Sequence, residues 1–219
     1  MQPMHLLVVA ATEGELASLD IGSIKGRRHI EVVITGVGMV ATAAHVSRAL
    51  ARTRFDLAIN LGVCGAFDRA LALGGVVHVT SDRIPELGVE DGQAFVPADA
   101  IGLVNADTAP FTGGCLVNAA PPVSASLAAL PRVSGITVNT VHGDAASIAA
   151  VVDRCHPQVE SMEGAAFMYA CLIAGVPFAH IRAVSNYVER RNRAAWRLPE
   201  AIAALGRAAT AVIGEVGAG

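Results

Sequence analysis

Short, unbroken apolar runs alternate along this chain with longer stretches of helical spacing. His5-Leu-Leu-Val-Val-Ala-Ala11 reads as a strand buried on both faces. Thr12, with Glu15 three residues on, has the spacing of a capping box, so a helical turn is expected there. Ile30–Gly36 is a second strand, and Gly36-Val-Gly-Met-Val-Ala41 opens a helix running to about Ala51. Leu57–Leu61 is a third strand. It leads into Gly62-Val-Cys-Gly-Ala-Phe67, whose two glycines predict a tight turn or a close approach of backbone to a flat ligand. Gly74–Asp82 is another strand, Arg83–Pro97 a polar loop and Gly114–Asn118 a short strand. Val123–Leu130 is a helix between prolines. Ser134–Val141 alternates as a strand with one polar face, and Asp144 is placed to cap a helix over Ala145–Val152.

The carboxy-terminal third carries the densest pattern. Glu160, Met162 and Glu163 stand before an apolar helix from Ala165 to Ala174, which Gly175 and Pro177 stop. Phe178–Val184 is a buried strand ending on Ser185-Asn186, polar residues at the strand end where open α/β sheets place ligands. Leu198–Val216 is a last apolar helix. Strands and helices alternate without repeat or linker. The expected class is α/β: one domain over residues 1–219, with a mixed central β-sheet flanked by helices.

A hydrophobic content of 53% against 16% charged residues excludes a disordered chain, and a net charge of −3 argues against electrostatic binding of nucleic acid. The seven His show no paired metal-ligand spacing, so no metal is expected. Cys64, Cys115, Cys155 and Cys171 lie far apart and read as thiols of a reducing, cytoplasmic compartment. The first residues lack a basic segment, and the run after them is strand-like, which reads against a leader peptide. Arg207 and Glu215 interrupt the last helix, so no membrane span is expected.

Several residues carry candidate chemistry. Glu15 is either the acid of a capping box or a carboxylate leaving the first strand into a cleft, with Glu13 a second candidate in the same turn. Glu163 is either a first-turn glutamate favoured by the helix dipole or a ligand-binding carboxylate. Gly36-x-Gly-x-x-Ala raises dinucleotide binding, but no acid ends the next strand; Asp56 precedes it. These glycines read better as a helix start packed close to a small ligand. His142 is either a loop-end histidine, the more frequent case, or a catalyst. Arg190, Arg191 and Arg193 read as a solvated helix start that a helix dipole disfavours, so an anion or an acidic neighbour is expected nearby.

Met-Glu-Gly-Ala-Ala, then Val-Pro-Phe and Ile-Arg-Ala-Val-Ser-Asn, resembles the carboxy-terminal signature of the purine nucleoside phosphorylase/nucleosidase family. The resemblance covers nearly the whole chain. Glu86-Leu-Gly-Val-Glu-Asp and Ser185-Asn-Tyr-Val-Glu, with Arg-Asn-Arg and Trp196 beyond, are most similar to the futalosine hydrolases within it. The resemblance implies a nucleoside phosphorylase-like fold and a nucleosidase acting on a hypoxanthine nucleoside, without metal or organic cofactor, as a homodimer or larger homo-oligomer; a methylthioadenosine/adenosylhomocysteine nucleosidase, a purine nucleoside phosphorylase and a non-catalytic nucleoside-binding or storage protein are the alternatives. It implies Glu15 as the group that activates water and Asn186 at the purine. Glu163 would hold the ribose hydroxyls and Met162 would pack on the sugar. Ser185, Arg182, Gly65, Val63 and Arg191 complete the implied substrate-binding set. Arg191 or Arg193 would meet the anionic group beyond the ribose. Asn60 and Val63 stand where the phosphorylases carry phosphate-binding residues. Two positions depart from the pattern: Arg190 stands for an expected Pro, and Ala146 for the aromatic that stacks on adenine in the adenosine-type nucleosidases.

Overall fold

The computed structural model describes residues 3–24, 28–92 and 94–216. In chain order the strands are Met4–Ala10 (β1), Arg28–Ile34 (β2), Leu57–Ala66 (β3), Val76–Arg83 (β4), Gly88–Asp91 (β5), Ala94–Pro97 (β6), Phe111–Thr112 (β7), Cys115–Val117 (β8), Arg132–Thr137 (β9), Val159–Ser161 (β10) and Phe178–Tyr187 (β11). The helices are Met39–Arg52 (α1), Ala125–Ala128 (α2), Ala145–Cys155 (α3), Gly164–Ala174 (α4) and Leu198–Glu215 (α5). The architecture is mixed α/β: a central nine-stranded sheet of parallel and antiparallel pairs with flanking helices, and a small β5–β6 hairpin.

The sheet runs β2-β1-β3-β10-β9-β4-β8-β7, with β11 bridging β3 and β4. β3 therefore closes a ring. It pairs in parallel with β11, β11 pairs antiparallel with β4, β4 and β9 are parallel, β9 and β10 are parallel, and β10 returns antiparallel to β3. Closure leaves these five strands no free edge.

Two apolar layers cover the sheet, and the period-two alternation of β1 shows why its run is unbroken. Leu6 and Val8 join β3, β11 and α5 in one core, with Ile59, Ile181, Leu205 and Val212. Leu7 and Val9 face α1 and α4 in another, with Val46, Phe167 and Met168. Each such side chain contributes roughly 1.5–3 kcal/mol on burial. Helix α4 is buried from Gly164 to Met168, which its almost wholly apolar sequence demands. Gly175 takes the left-handed conformation at its end (φ 65°).

Several expected elements shift. The stretch after Leu61 is no turn: β3 runs straight through Gly62 and Gly65 to Ala66, paired with β11 along its length and with β10 at its end. The Arg83–Pro97 segment holds the β5–β6 hairpin. The helix expected over Val123–Leu130 contracts to Ala125–Ala128, stopped before Pro131, which disfavours helical backbone at Leu130. The element after Thr12 is a single 3-10 turn, Glu13–Leu16. The arginine cluster precedes α5 instead of starting it, so its dipole is no concern. No helix of the described residues is long and apolar enough to cross a membrane.

Candidate active site

β3 and β11 run side by side, and their register sets Arg182 opposite Gly62. The reason for glycine is space. A Cβ at Gly62 would lie 2.5 Å from Arg182 Nη1 and 2.7 Å from Glu15 Oε1. At Gly65 it would meet Val188 Cγ2 at 2.9 Å and Asn186 Nδ2 at 3.3 Å. Both glycines admit side chains from other elements.

Glu15 satisfies both of its readings at once. Its Oε2 accepts the backbone N–H of Thr12 (3.0 Å) and of Ala11 (3.1 Å), the capping role. Its Oε1 reaches across and accepts the N–H of Val63 (3.1 Å). The carboxylate is thereby fixed at the rim of β1 and β3. Glu13 is exposed and makes no such contact.

Glu163 stands at the N-cap position of α4, yet it makes no capping bond to its own helix. Its Oε1 accepts the N–H of Gly38 (3.0 Å), the residue that opens α1 with φ +100°. The Gly-x-Gly turn thus gives an amide to a carboxylate of its own chain. Arg182 lies behind, 1% exposed, with Nη2 3.7 Å from Glu163 Oε2. Its Nε and Nη1 have no hydrogen-bond partner among the described residues.

The β11 register slips between Val184 and Asn186. Neighbours in a regular strand face opposite sides, and a bulge relaxes that rule. Ser185 and Asn186 accordingly line the same cavity. Ser185 Oγ lies 2.8 Å from Asn186 Oδ1 and 3.2 Å from the Cys64 carbonyl, and Asn186 Nδ2 donates to the Tyr187 carbonyl (3.0 Å).

These groups surround a cavity of about 350 Å³. Its walls include Glu15, Val63, Gly65, Met162, Glu163, Ser185 and Asn186, together with Glu160 and Trp196. Of the residues expected from sequence, Arg182 stands behind this wall. Arg191 lines an adjoining recess of about 90 Å³ with Asn186, His142 and Glu160, rather than the cavity beside Met162 and Glu163. Arg193 lines neither; its guanidinium, like that of Arg191, lies 5.9 Å from the Trp196 ring centre. Cys64 also lines the cavity, but burial pushes its thiol up to about 12, so it stays protonated.

Sequence reasoning left out Glu160, His142 and Trp196 as site residues. Glu160 is 4% exposed; its Oε2 lies 2.7 Å from His142 Nδ1, and its Oε1 accepts the His142 backbone N–H (3.1 Å). Asn60 is not available to a ligand: it is buried and donates to the Val9 carbonyl (3.2 Å).

Comparison with known proteins places these residues in context. The family model described as "Phosphorylase superfamily" matches residues 13–214. A futalosine hydrolase of Thermus thermophilus is 32% identical over 84% of this chain and 80% of its own length, and one of Streptomyces coelicolor 34% identical over 80% and 74%. A 5'-methylthioadenosine/S-adenosylhomocysteine nucleosidase of a Shewanella species is 28% identical over 83% of this chain and 80% of its own. Among solved structures, a nucleosidase of that last kind from Colwellia psychrerythraea, in complex with adenine, superposes with a TM-score of 0.76 at 21% identity, covering 98% of this chain and 96% of that one.

Proposed function

The chain belongs to the phosphorylase superfamily, and from that premise we propose that it is an N-glycosyl hydrolase that cleaves futalosine to hypoxanthine and dehypoxanthinylfutalosine, in menaquinone biosynthesis. One observation carries the choice of hydrolysis over phosphorolysis. Among the described residues, the cavity is walled by three carboxylates, Glu15, Glu160 and Glu163, and by no Lys, Arg or His. A phosphate dianion entering it would meet like charge on several sides. At about 4 Å and an effective dielectric of about 20, each unit-charge pair costs about 4 kcal/mol. Water carries no such penalty.

The same charge favours the reaction. N-glycoside cleavage passes through a ribosyl cation of oxocarbenium character. Glu163, held by the Gly38 amide, binds the ribose hydroxyls and stabilises that cation, with Met162 packed on the sugar. Glu15 orients water toward the anomeric carbon and takes its proton. The buried Arg182 stands 3.7 Å from Glu163, behind the wall, without reaching the ligand. Asn186, braced by Ser185, faces the purine, and Trp196 supplies the aromatic wall that Ala146 does not. An amide suits a 6-oxopurine better than a 6-aminopurine, which favours hypoxanthine over adenine nucleosides. No metal or organic cofactor enters this scheme. Exposed Val37 (58%) and Val40 (82%), at the start of α1 near the cavity, support a homo-oligomer, and free thiols fit a cytoplasmic setting.

The test is a product assay on futalosine, inosine and methylthioadenosine, with and without phosphate. The expected result is phosphate-independent release of hypoxanthine from futalosine. Phosphate-dependent turnover forming ribose 1-phosphate esters, or adenine release as fast as hypoxanthine release, would refute the reading.

A further inference from the structure

The scheme above leaves the departing base without a proton donor. When the C1′–N9 bond breaks, its electron pair goes to the purine, and the anion must be neutralised. Asn186 has no titratable proton to give. The recess beside it holds a group that can act. His142 and Glu160 meet there at 2.7 Å.

We propose that His142, fixed by Glu160, is the general acid that protonates the leaving purine; the inference rests on the nucleosidase reading above. Both carboxylate oxygens of Glu160 serve His142, one its ring and one its backbone N–H. The buried carboxylate accepts from Nδ1, so Nδ1 is the protonated nitrogen of the neutral ring and Nε2 the exchanging one. Nε2 makes no hydrogen bond with any described residue. Imidazole is the side chain that exchanges protons near neutral pH. Glu160 and Asn186 line both the recess and the main cavity, so a base seated against Asn186 lies beside the imidazole.

The step balances. The glycosidic pair of electrons stays on the purine, and the Nε2 proton of the imidazolium passes to purine N7. The water oxygen bonds to C1′ and its proton passes to Glu15. The imidazole, now neutral, and the protonated Glu15 return to their starting states by exchange with solvent. The other titratable or charged groups around the recess are Tyr187, Glu189 and Arg191, and Glu189 is engaged by Arg69 at 2.6 Å. Asp144, two residues on from His142, is occupied in capping α3.

The experiment compares futalosine with a riboside whose leaving group needs no proton, 4-nitrophenyl β-D-ribofuranoside, in the wild type, His142→Gln and Glu160→Gln. For His142→Gln, kcat on futalosine should fall about 100-fold or more, while kcat on the nitrophenyl riboside stays within about threefold, because general-acid catalysis is worth 10²–10⁴ only where a proton is required. Glu160→Gln should fall in the same direction by less. The wild type supplies a second reading that needs no variant. Its kcat on futalosine should fall at alkaline pH as the imidazolium is lost, and its kcat on the nitrophenyl riboside should not. Equal losses on both substrates, a change confined to KM, or the same alkaline limb on both substrates would overturn the inference while leaving the nucleosidase reading intact. A wild type inactive on every nucleoside would overturn both.

Discussion

Replacing Glu15 by Gln keeps the shape of the side chain and removes its charge, and the structure says what that should do. The carboxylate accepts backbone N–H groups from Ala11, Thr12 and Val63. An amide has one acceptor oxygen. If that oxygen stays with Ala11 and Thr12, the new NH₂ faces the Val63 N–H, donor against donor. A buried donor left without a partner costs about 1–3 kcal/mol. For a chain of this size that is a drop in Tm of roughly 2–12 °C. Turnover should fall much further, by about 10²–10⁴, because the amide cannot take the proton of the attacking water. Converted through transition-state theory, this is about 2.7–5.4 kcal/mol. Hypoxanthine release at saturating futalosine, measured well below the variant's Tm, separates the two effects. A variant with lowered Tm and kcat within about threefold of wild type would mean that Glu15 only ties β1 to β3, and the mechanism would need another base. Glu13→Gln, at an exposed position off the cavity, should change neither quantity.

Other positions give shorter tests. Glu163→Gln should lower kcat on futalosine more than it raises KM, since a negative charge gains most against the cationic transition state; a rise in KM alone would reduce Glu163 to a ground-state anchor. Gly62→Ala places a methyl 2.5 Å from Arg182 Nη1 and 2.7 Å from Glu15 Oε1, so it should cut kcat by at least about tenfold through displaced carboxylate geometry, and an unchanged kcat would refute that packing. Burial pushes the Asp82 carboxyl up to about 7, against the bonding of Thr137 Oγ1 to it at 3.0 Å. A folded-state value above the unfolded one contributes stability that is full at acid pH and lost as pH rises through about 7. Asp82→Asn should therefore raise Tm relative to wild type more at about pH 8 than at about pH 5, and a parallel shift at both would refute the burial argument. Asn186→Asp should narrow the preference for hypoxanthine over adenine nucleosides, read from the ratio of kcat/KM on futalosine and methylthioadenosine, and an unmoved ratio would take the purine edge away from position 186.

What could be read from the sequence was what is local. β1 and α4 announce themselves because apolar character on every face has only one physical outcome, burial between two layers. The Thr12–Glu15 spacing and the Asp144 cap act within one turn of chain and appear as expected. The glycines of β3 misled because glycine has two uses. Read alone, Gly62 and Gly65 suggest a turn; in the fold they are straight strand whose missing Cβ atoms make room for Arg182, Glu15 and Asn186. The second use depends on which strand lies alongside, and that is set by ring closure through β11, a pairing across more than a hundred residues. The His142–Glu160 pair was hidden for a like reason. Nothing about a histidine in a loop and a glutamate in a strand shows that both oxygens of one will serve the other.

The charges around the cavity explain why these parts occur together. Three carboxylates stand at the wall, Glu15, Glu160 and Glu163. Burying them uncompensated would cost several kcal/mol each. Compensation comes from behind. Arg182 lies 3.7 Å from Glu163 and packs over Gly62 toward Glu15, and the Nδ1 and backbone N–H of His142 serve Glu160. On the proposed mechanism, a ribosyl cation developing beside Glu15 and Glu163 meets negative charge that a neutral sugar does not exploit, so the site attracts the transition state more strongly than the substrate, which is the condition for raising kcat. The arrangement needs its cations outside the ligand's reach. An arginine on the cavity wall would offset that negative charge before the reaction began and would admit an anionic nucleophile. Gly62 therefore matters to the chemistry as much as the carboxylates do, because its missing side chain lets Arg182 sit one layer back.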